Sequence, residues 1–482
     1  MVRKITAGAL LIVSSLWLTS CSGVSGGACT NCNPGNASVS LVLTATPPAP
    51  GSQLSIQAYS ATITGVTLTP SSGAAVNVSL MSSAYIAEFN RVTSDSTLLA
   101  AAASVPAGDY TQITVTFSAP RVTFCTQTNP GVPGCASNTL TTVGGAAGSA
   151  TASINLSLGA NQQAGLALNA NLGTTLTLTG QTVTAVNLGS TNAFTATTLP
   201  PASTQTDLAA GQFSHLDDVM GRVTNVTSSA VTIQTSSRGS ITAVANSATQ
   251  FNCSSQNIAC VQTNAAAIID AILNSDGTFT LTFYEPLPFT SSDVIEGVVA
   301  SVPNSLTNQF TIVVTDSVFA STGSILSGQV HLGDQLLVSL NSPNPFQIVS
   351  KALFIPSGGL FLNSTSASSI LPGQTVAFPA LSFTAPGGTA PGSTSAKDLA
   401  LRFTRLSGQV SSAAMPVFSG MTFPSFFGLT TLQQFQTTSG RLSVDGVSNL
   451  ANLPVGNTFS TTTLYLGTPA SPQFASQTVR AH

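Results

Sequence analysis

The chain has 482 residues, a formal net charge of −3 and 43 % hydrophobic residues, enough to pack a core and to exclude global disorder. Only 6 % of the residues are charged, against the usual ~25 %, and no Lys/Arg cluster follows the N-terminus; phosphate recognition, and with it nucleic acid, is excluded. At roughly 150 residues per domain, the length suits about three domains.

Arg3 and Lys4 open the chain, and Ile5 to Leu18 carries no charge. That run is shorter than the roughly 20 apolar residues a bilayer requires. A positive start, a short apolar run and small residues after it describe a secretory signal. Leu18-Thr19-Ser20-Cys21 resembles the lipobox of bacterial lipoproteins. The resemblance implies that residues 1–20 are cut away, that the Cys21 thiol takes a diacylglycerol and that its new amine is acylated. Buried acyl chain contributes about 0.8 kcal/mol per methylene, and more than one chain makes a stable anchor. Ser22, where an Asp would signal inner-membrane retention, resembles an outer-membrane address. Residues 21–36 read as a flexible tether. Within it, Cys29 and Cys32 form a CxxC without a βα context or a second CxxC, so a small structural disulfide is expected rather than redox or metal chemistry.

A β-sandwich domain is predicted over 37–200. SLVLTAT (40–46), ATITGVTLT (61–69) and TQITVTF (111–117) alternate apolar and polar residues between Gly, Pro and Ser, the pattern of half-buried strands. STLLAAAASV (96–105) is the one good helix candidate, opening on a Ser and rich in helix formers. From Val122 to Thr206 there is no Asp, Glu, Lys or Arg, so the surface there is built from hydroxyls, amides and Gly. Cys125 and Cys135 flank Asn-Pro-Gly and Pro-Gly turns and read as a loop tip closed by a disulfide. SVSLVLTATPPAP, ATITGVTLTP, VNVSLM and VPAGDYTQITVTF, with Pro106-Ala107-Gly108-Asp109-Tyr110 as its most specific part, resemble a lipoprotein family of unknown function. That resemblance implies a prealbumin-like antiparallel sandwich and no known activity. Thr44-Ala45-Thr46-Pro47 departs from the family's opening Leu-Thr-Asp-x-Pro by lacking the Asp.

After a linker at 199–212 the sequence repeats. DDVMGRVTNV (217–226) and SDVIEGVVASV (292–302) share an Asp, apolar residues, a Gly and a Val-rich strand; LSGQV recurs at 326 and 406. LNSDGTFTLTF (273–283) is a hairpin about Asp276-Gly277. Cys253 and Cys260 close a second short loop. As a series, these units are similar to a second family of unknown function, small β-barrel-like repeats of exported bacterial proteins. Units are expected at 212–290, 291–384 and 399–470, with a Pro/Gly/Ser/Thr linker at 385–398 and a tail at 471–482. The fold class is therefore all-β: an N-terminal antiparallel sandwich followed by several small barrel or sandwich units.

No set of residues names a reaction. Gly23-Val24-Ser25-Gly26-Gly27 fits GxSxG but lacks the strand and helix a nucleophile elbow needs. Ser214-His215-Leu216-Asp217-Asp218 puts triad residue types side by side, whereas triad members meet through the fold. His215, His331 and His482 make no spaced metal pair, and no calcium loop is present, so neither metal nor cofactor is expected. Glu285, Asp293 and Glu296 are the acids a glycoside hydrolase would need to converge in a cleft. The expectation is a noncatalytic, lipid-anchored envelope protein, held to a membrane by its lipid and binding a polysaccharide or an envelope protein. An envelope-attached hydrolase using loop carboxylates is the alternative.

Overall fold

The computed structural model describes residues 35–482 apart from internal stretches, the longest at 200–214, 420–430 and 446–454. Cys21, Cys29, Cys32 and the GxSxG stretch lie outside the described residues.

The first unit is a two-sheet sandwich. One sheet runs Phe194–Leu199, Gln163–Asn171, Asn36–Thr46, Thr97–Pro106; the other is built on the long antiparallel pair Ser55–Pro70 and Gly108–Cys125. Alternate residues point inward (Val39, Leu41, Leu43 against Ile63, Val66, Ile113, Val115), as period-two patterning requires. The Tyr110 hydroxyl donates to the Pro106 carbonyl at 2.7 Å and so closes the Pro-Ala-Gly-Asp-Tyr turn.

Residues 96–105 are not a helix. Thr97–Pro106 is a strand paired antiparallel with Asn36–Thr46. Leu99 and Ala100 pack in the sandwich core, while Leu98 packs among the side chains of the next unit. A strand between two cores is apolar on both faces, and such a run cannot be told from a buried helix by periodicity. Tertiary burial then overrides the local preference for helix.

The second unit is a closed five-stranded barrel, in the order His215–Val226, Ala230–Gln234, Ser240–Phe251, Phe279–Pro286, Ala266–Leu273. Its core is Val219, Val223, Ile233, Ile241, Ile269 and Leu281. At the Asp276-Gly277 hairpin, Gly277 has φ +85°, a left-handed turn position that glycine adopts without strain.

The third and fourth units repeat the barrel's pairing order. In each, a first strand (Val294–Asn304; Thr404–Ser412) lies between a second strand (Gln309–Val318; Val417–Ser419) and a fourth (Thr375–Pro379; Thr458–Thr468). The last strand pairs antiparallel with the fourth and parallel with the third, as in the barrel. In the third unit that last strand is split into Gly392–Ala396 and Ala400–Arg402. The repeated glycine has a common reason: a Cβ on Gly221 would lie 2.9 Å from the Gln234 carbonyl, and one on Gly297 would lie 2.7 Å from that of Val313.

Two boundaries shift accordingly. Residues 385–398, expected as a linker, contain the strand Gly392–Ala396, and residues 471–482, expected as a tail, contain the strand Ser471–Ala481. Both are rich in Ser, Thr, Ala or Gln. Ladder hydrogen bonds hold them in place, and their weak apolar alternation hides them in the sequence.

Cys125 and Cys135 sit at disulfide distance, Cα–Cα 5.6 Å, and so do Cys253 and Cys260, at 6.2 Å. Each short closure contributes about 2.5–3 kcal/mol by loop entropy. Peptide mapping without reduction should yield linked 125–135 and 253–260 peptides; free thiols at these positions would contradict the assignment.

Candidate functional site

The residues with the most chemistry meet where the four units join. The geometry begins with a β-bulge. Along the barrel seam Leu216 pairs with Ala271 and Val219 with Ile269, so Asp217 and Asp218 together oppose the single residue Asp270. Asp218 takes φ +51°, uncommon for a residue with a side chain, and its backbone N–H donates to Asp270 Oδ1 at 2.8 Å. The bulge turns both carboxylates away from the regular strand and into the junction.

Asp218, wholly buried, collects three guanidinium groups. Arg402 lies 2.7 Å from Oδ1; Arg405 and Arg91 lie 2.7 Å and 3.2 Å from Oδ2. Arg91 comes from the single helical turn Arg91–Ser94 of the sandwich, Arg402 from the last strand of the third unit and Arg405 from the first strand of the fourth. One barrel carboxylate therefore ties all three other units to the barrel. The outer charges are met in turn: Arg402 by Glu296 at 2.9 Å, and Arg91 by Asp316 at 3.1 Å. Burial alone would push the Asp218 carboxyl up. The charges of Arg402, Lys351, Arg405 and Arg91 outweigh it and hold the group well below the usual carboxylate range.

A second knot sits beside the first. Lys351, wholly buried, places Nζ 2.5 Å from Asp217 Oδ1 and 2.7 Å from Asp270 Oδ1. Its backbone N–H donates to Glu285 at 2.9 Å. The fourth unit reaches in through Gln477, which donates to Asp217 at 3.3 Å, and Arg480, which donates to the Asp95 carbonyl at 3.2 Å. Burial, and then the Asp217 charge, push Asp270 up to about 8 and Asp95 up to about 7.

Arg222 fastens barrel to third unit through backbone carbonyls. Its guanidinium donates to the carbonyls of Phe319 (3.0 Å), Asn264 (2.7 Å) and Ser292. This junction takes up about half of the chain's 15 acidic residues, in a protein with little charge elsewhere.

Between sandwich, third and fourth units lies a cavity of about 50 Å³, room for a few water molecules. Gln57, Arg91, Thr315 and Arg405 line it, and Gln57 Oε1, Arg91 Nε, Thr315 Oγ1 and Arg405 Nε are buried without a hydrogen-bond partner among the described residues. Ordered water would satisfy all four.

The residues singled out in the sequence fall as follows. Ser214 lies outside the described residues. His215 opens the barrel strand, while Asp217 and Asp218 enter the junction; the triad-like run is a structural bulge. His331 is exposed beside Asp334, and His482 Nε2 lies 3.0 Å from the Ser460 hydroxyl, its pKa pushed down to about 3 by burial and Arg480. Glu285 accepts from Asn252 Nδ2 at 2.7 Å and from Lys351 N, and Glu296 pairs with Arg402. Asp293 accepts backbone N–H bonds from Ala320 and Ile325, each at 2.6 Å. The three acids thus have three separate structural roles. Among the described residues no group of three or more His, Cys, Asp or Glu is placed to hold a metal ion.

Sequence reasoning missed Arg91, Lys351, Arg402 and Arg405. A signal was present: single charges inside apolar runs, as in AIIDAIL and ALRFTRL. In a chain this poor in charge, such residues must be buried with partners or not buried at all.

The chain matches no protein-family model and no curated protein.

Proposed function

We propose that this protein is a noncatalytic, lipid-anchored component of the bacterial cell envelope, made of modular β units and serving a binding, adhesion or structural role. The observation that carries this reading is the junction. About half of the chain's acids are buried there, most against Arg and Lys side chains, and several of these pairs join neighbouring units. Outside the junction the surface is dominated by hydroxyls and amides, and such a face suits a neutral polysaccharide or another envelope protein. The hydrolase alternative gains nothing from Glu285, Asp293 and Glu296, since each is held by backbone or side-chain donors.

Attachment is assigned to lipid on Cys21, with the outer membrane as destination. Among the described residues no helix is long and apolar enough to cross a membrane. Metabolic labelling with a clickable fatty acid, followed by mass spectrometry of the N-terminal peptide, should find label on Cys21 and none in Cys21→Ser. Equal labelling of both, or a mature N-terminus elsewhere in the wild type, would overturn the anchor. For the ligand, the soluble mature chain should retain a glycan or envelope component in a binding screen. Turnover of a glycoside or ester substrate by the purified chain would overturn the noncatalytic reading.

A further inference from the structure

The second knot has the composition of a reaction centre for joining two side chains. Lys351 Nζ touches two carboxyl groups, 2.5 Å from Asp217 and 2.7 Å from Asp270, and is closed off from solvent. The two carboxyls thus converge on one nitrogen. Asp270 stands in the middle of Ala266–Leu273, a strand buried along its whole length. There the neutral acid is favoured over the carboxylate, and only a neutral acid is a competent acyl donor for an amine. Asp270 Oδ1 also accepts the Asp218 backbone N–H at 2.8 Å, a donor set where charge would develop on a tetrahedral oxygen. Lys351 and Ala352 take φ of +51° and +59°, two successive left-handed residues that turn the lysine into the junction.

We propose that Lys351 and Asp270 condense into an intramolecular amide that joins the third unit covalently to the barrel. The reactants are the Lys351 ammonium, the Asp217 carboxylate and the Asp270 carboxylic acid. Asp217 takes one proton from the ammonium, leaving a neutral amine. The amine lone pair attacks Asp270 Cγ, and a C–N bond forms. Asp217 delivers its proton to the Asp270 hydroxyl, the Cγ–O bond breaks, and water leaves. Asp217 then takes the remaining surplus proton from the nitrogen. The products are one amide, one water and a protonated Asp217. Charge and hydrogen balance, and no oxidant or external reagent is needed. Fixed contact supplies an effective concentration that free amine and acid never reach, on the order of 10⁵ M or more. Exclusion of water from the site protects the amide once formed.

The test is the intact mass of the full mature chain after denaturation and disulfide reduction. The expected mass is lower than the sequence mass by one water, and Lys351→Arg and Asp270→Ala should restore the full mass. Digestion should give a branched peptide with Lys351 joined to Asp270. That peptide comes from the wild type, so it decides the matter even if either variant fails to fold. A wild-type chain of full sequence mass would overturn the proposal. A branched peptide joined through Asp217 would overturn the assignment of acyl donor and the proton route with it.

Discussion

Asp218→Asn should lower the stability of the folded chain by about 3–5 kcal/mol, the cost of breaking a buried ion pair by removing one partner. The side chain keeps its size, and Asn tolerates the left-handed φ of +51° at least as well as Asp, so the bulge is not the variable. What changes is charge. Arg402 and Arg91 retain Glu296 and Asp316, whereas Arg405 retains a hydrogen bond to the Phe403 carbonyl at 2.8 Å. Three guanidinium groups then share a buried site with no central anion. Against a typical total of roughly 5–15 kcal/mol this is a large fraction. The midpoint of urea unfolding measures it. Asp109→Asn, at an exposed acid, should move the same midpoint by no more than about 0.5 kcal/mol. Equal effects at the two sites would contradict the central role of Asp218.

Stability should fall as pH rises from about 5 to 8. Asp95 is pushed up to about 7, by burial first and by Asp217 second, and burial also raises Glu88. A carboxyl whose folded pKa lies above its unfolded value binds its proton more tightly in the folded state. The stability it contributes is complete below the unfolded value near 4 and is lost as pH rises through the folded value. For Asp95 the slope is up to about 1.4 kcal/mol per pH unit across that window. Asp218 acts in the opposite sense: held low, it contributes stability above its unfolded value and loses it as pH falls below about 4. The optimum should therefore be mildly acidic. Thermal melts from pH 4 to 8 would show it, and Asp95→Asn should flatten the decline between 5 and 7. Asp270, pushed up to about 8, steepens the same slope while it remains a carboxyl and drops out once it is part of an amide. A melting temperature that rises from pH 5 to 8 would contradict the assignment.

Most of the fold was legible because alternation survives wherever one face of a strand is wet. ATITGVTLT and TQITVTF keep one polar face and became the long antiparallel pair of the sandwich. Legibility failed in two kinds of strand. Thr97–Pro106 is apolar on both sides and imitates a helix. Gly392–Ala396 and much of Ser471–Ala481 are polar on both sides and imitate linker or tail. The repeat was visible through an Asp, two apolar residues and a nearby Gly, and that Gly answers a close backbone approach at 221 and 297. The junction was not visible as a site. Its members are single charges from positions 88 to 480, and only the fold brings them together. Asp217 and Asp218 were noticed for a nearby His, but their partners proved to be Lys351, Arg91, Arg402 and Arg405.

The central claim is that a buried ionic junction makes four β units one body. Hydrogen exchange under increasing urea, read by mass spectrometry on peptides from each unit, tests it most directly. The strands Asn36–Thr46, Ala266–Leu273, Thr375–Pro379 and Thr458–Thr468 should lose protection at one common urea concentration in the wild type, and at separate, lower concentrations in Asp218→Asn. Four independent transitions in the wild type, unmoved by the substitution, would contradict the claim.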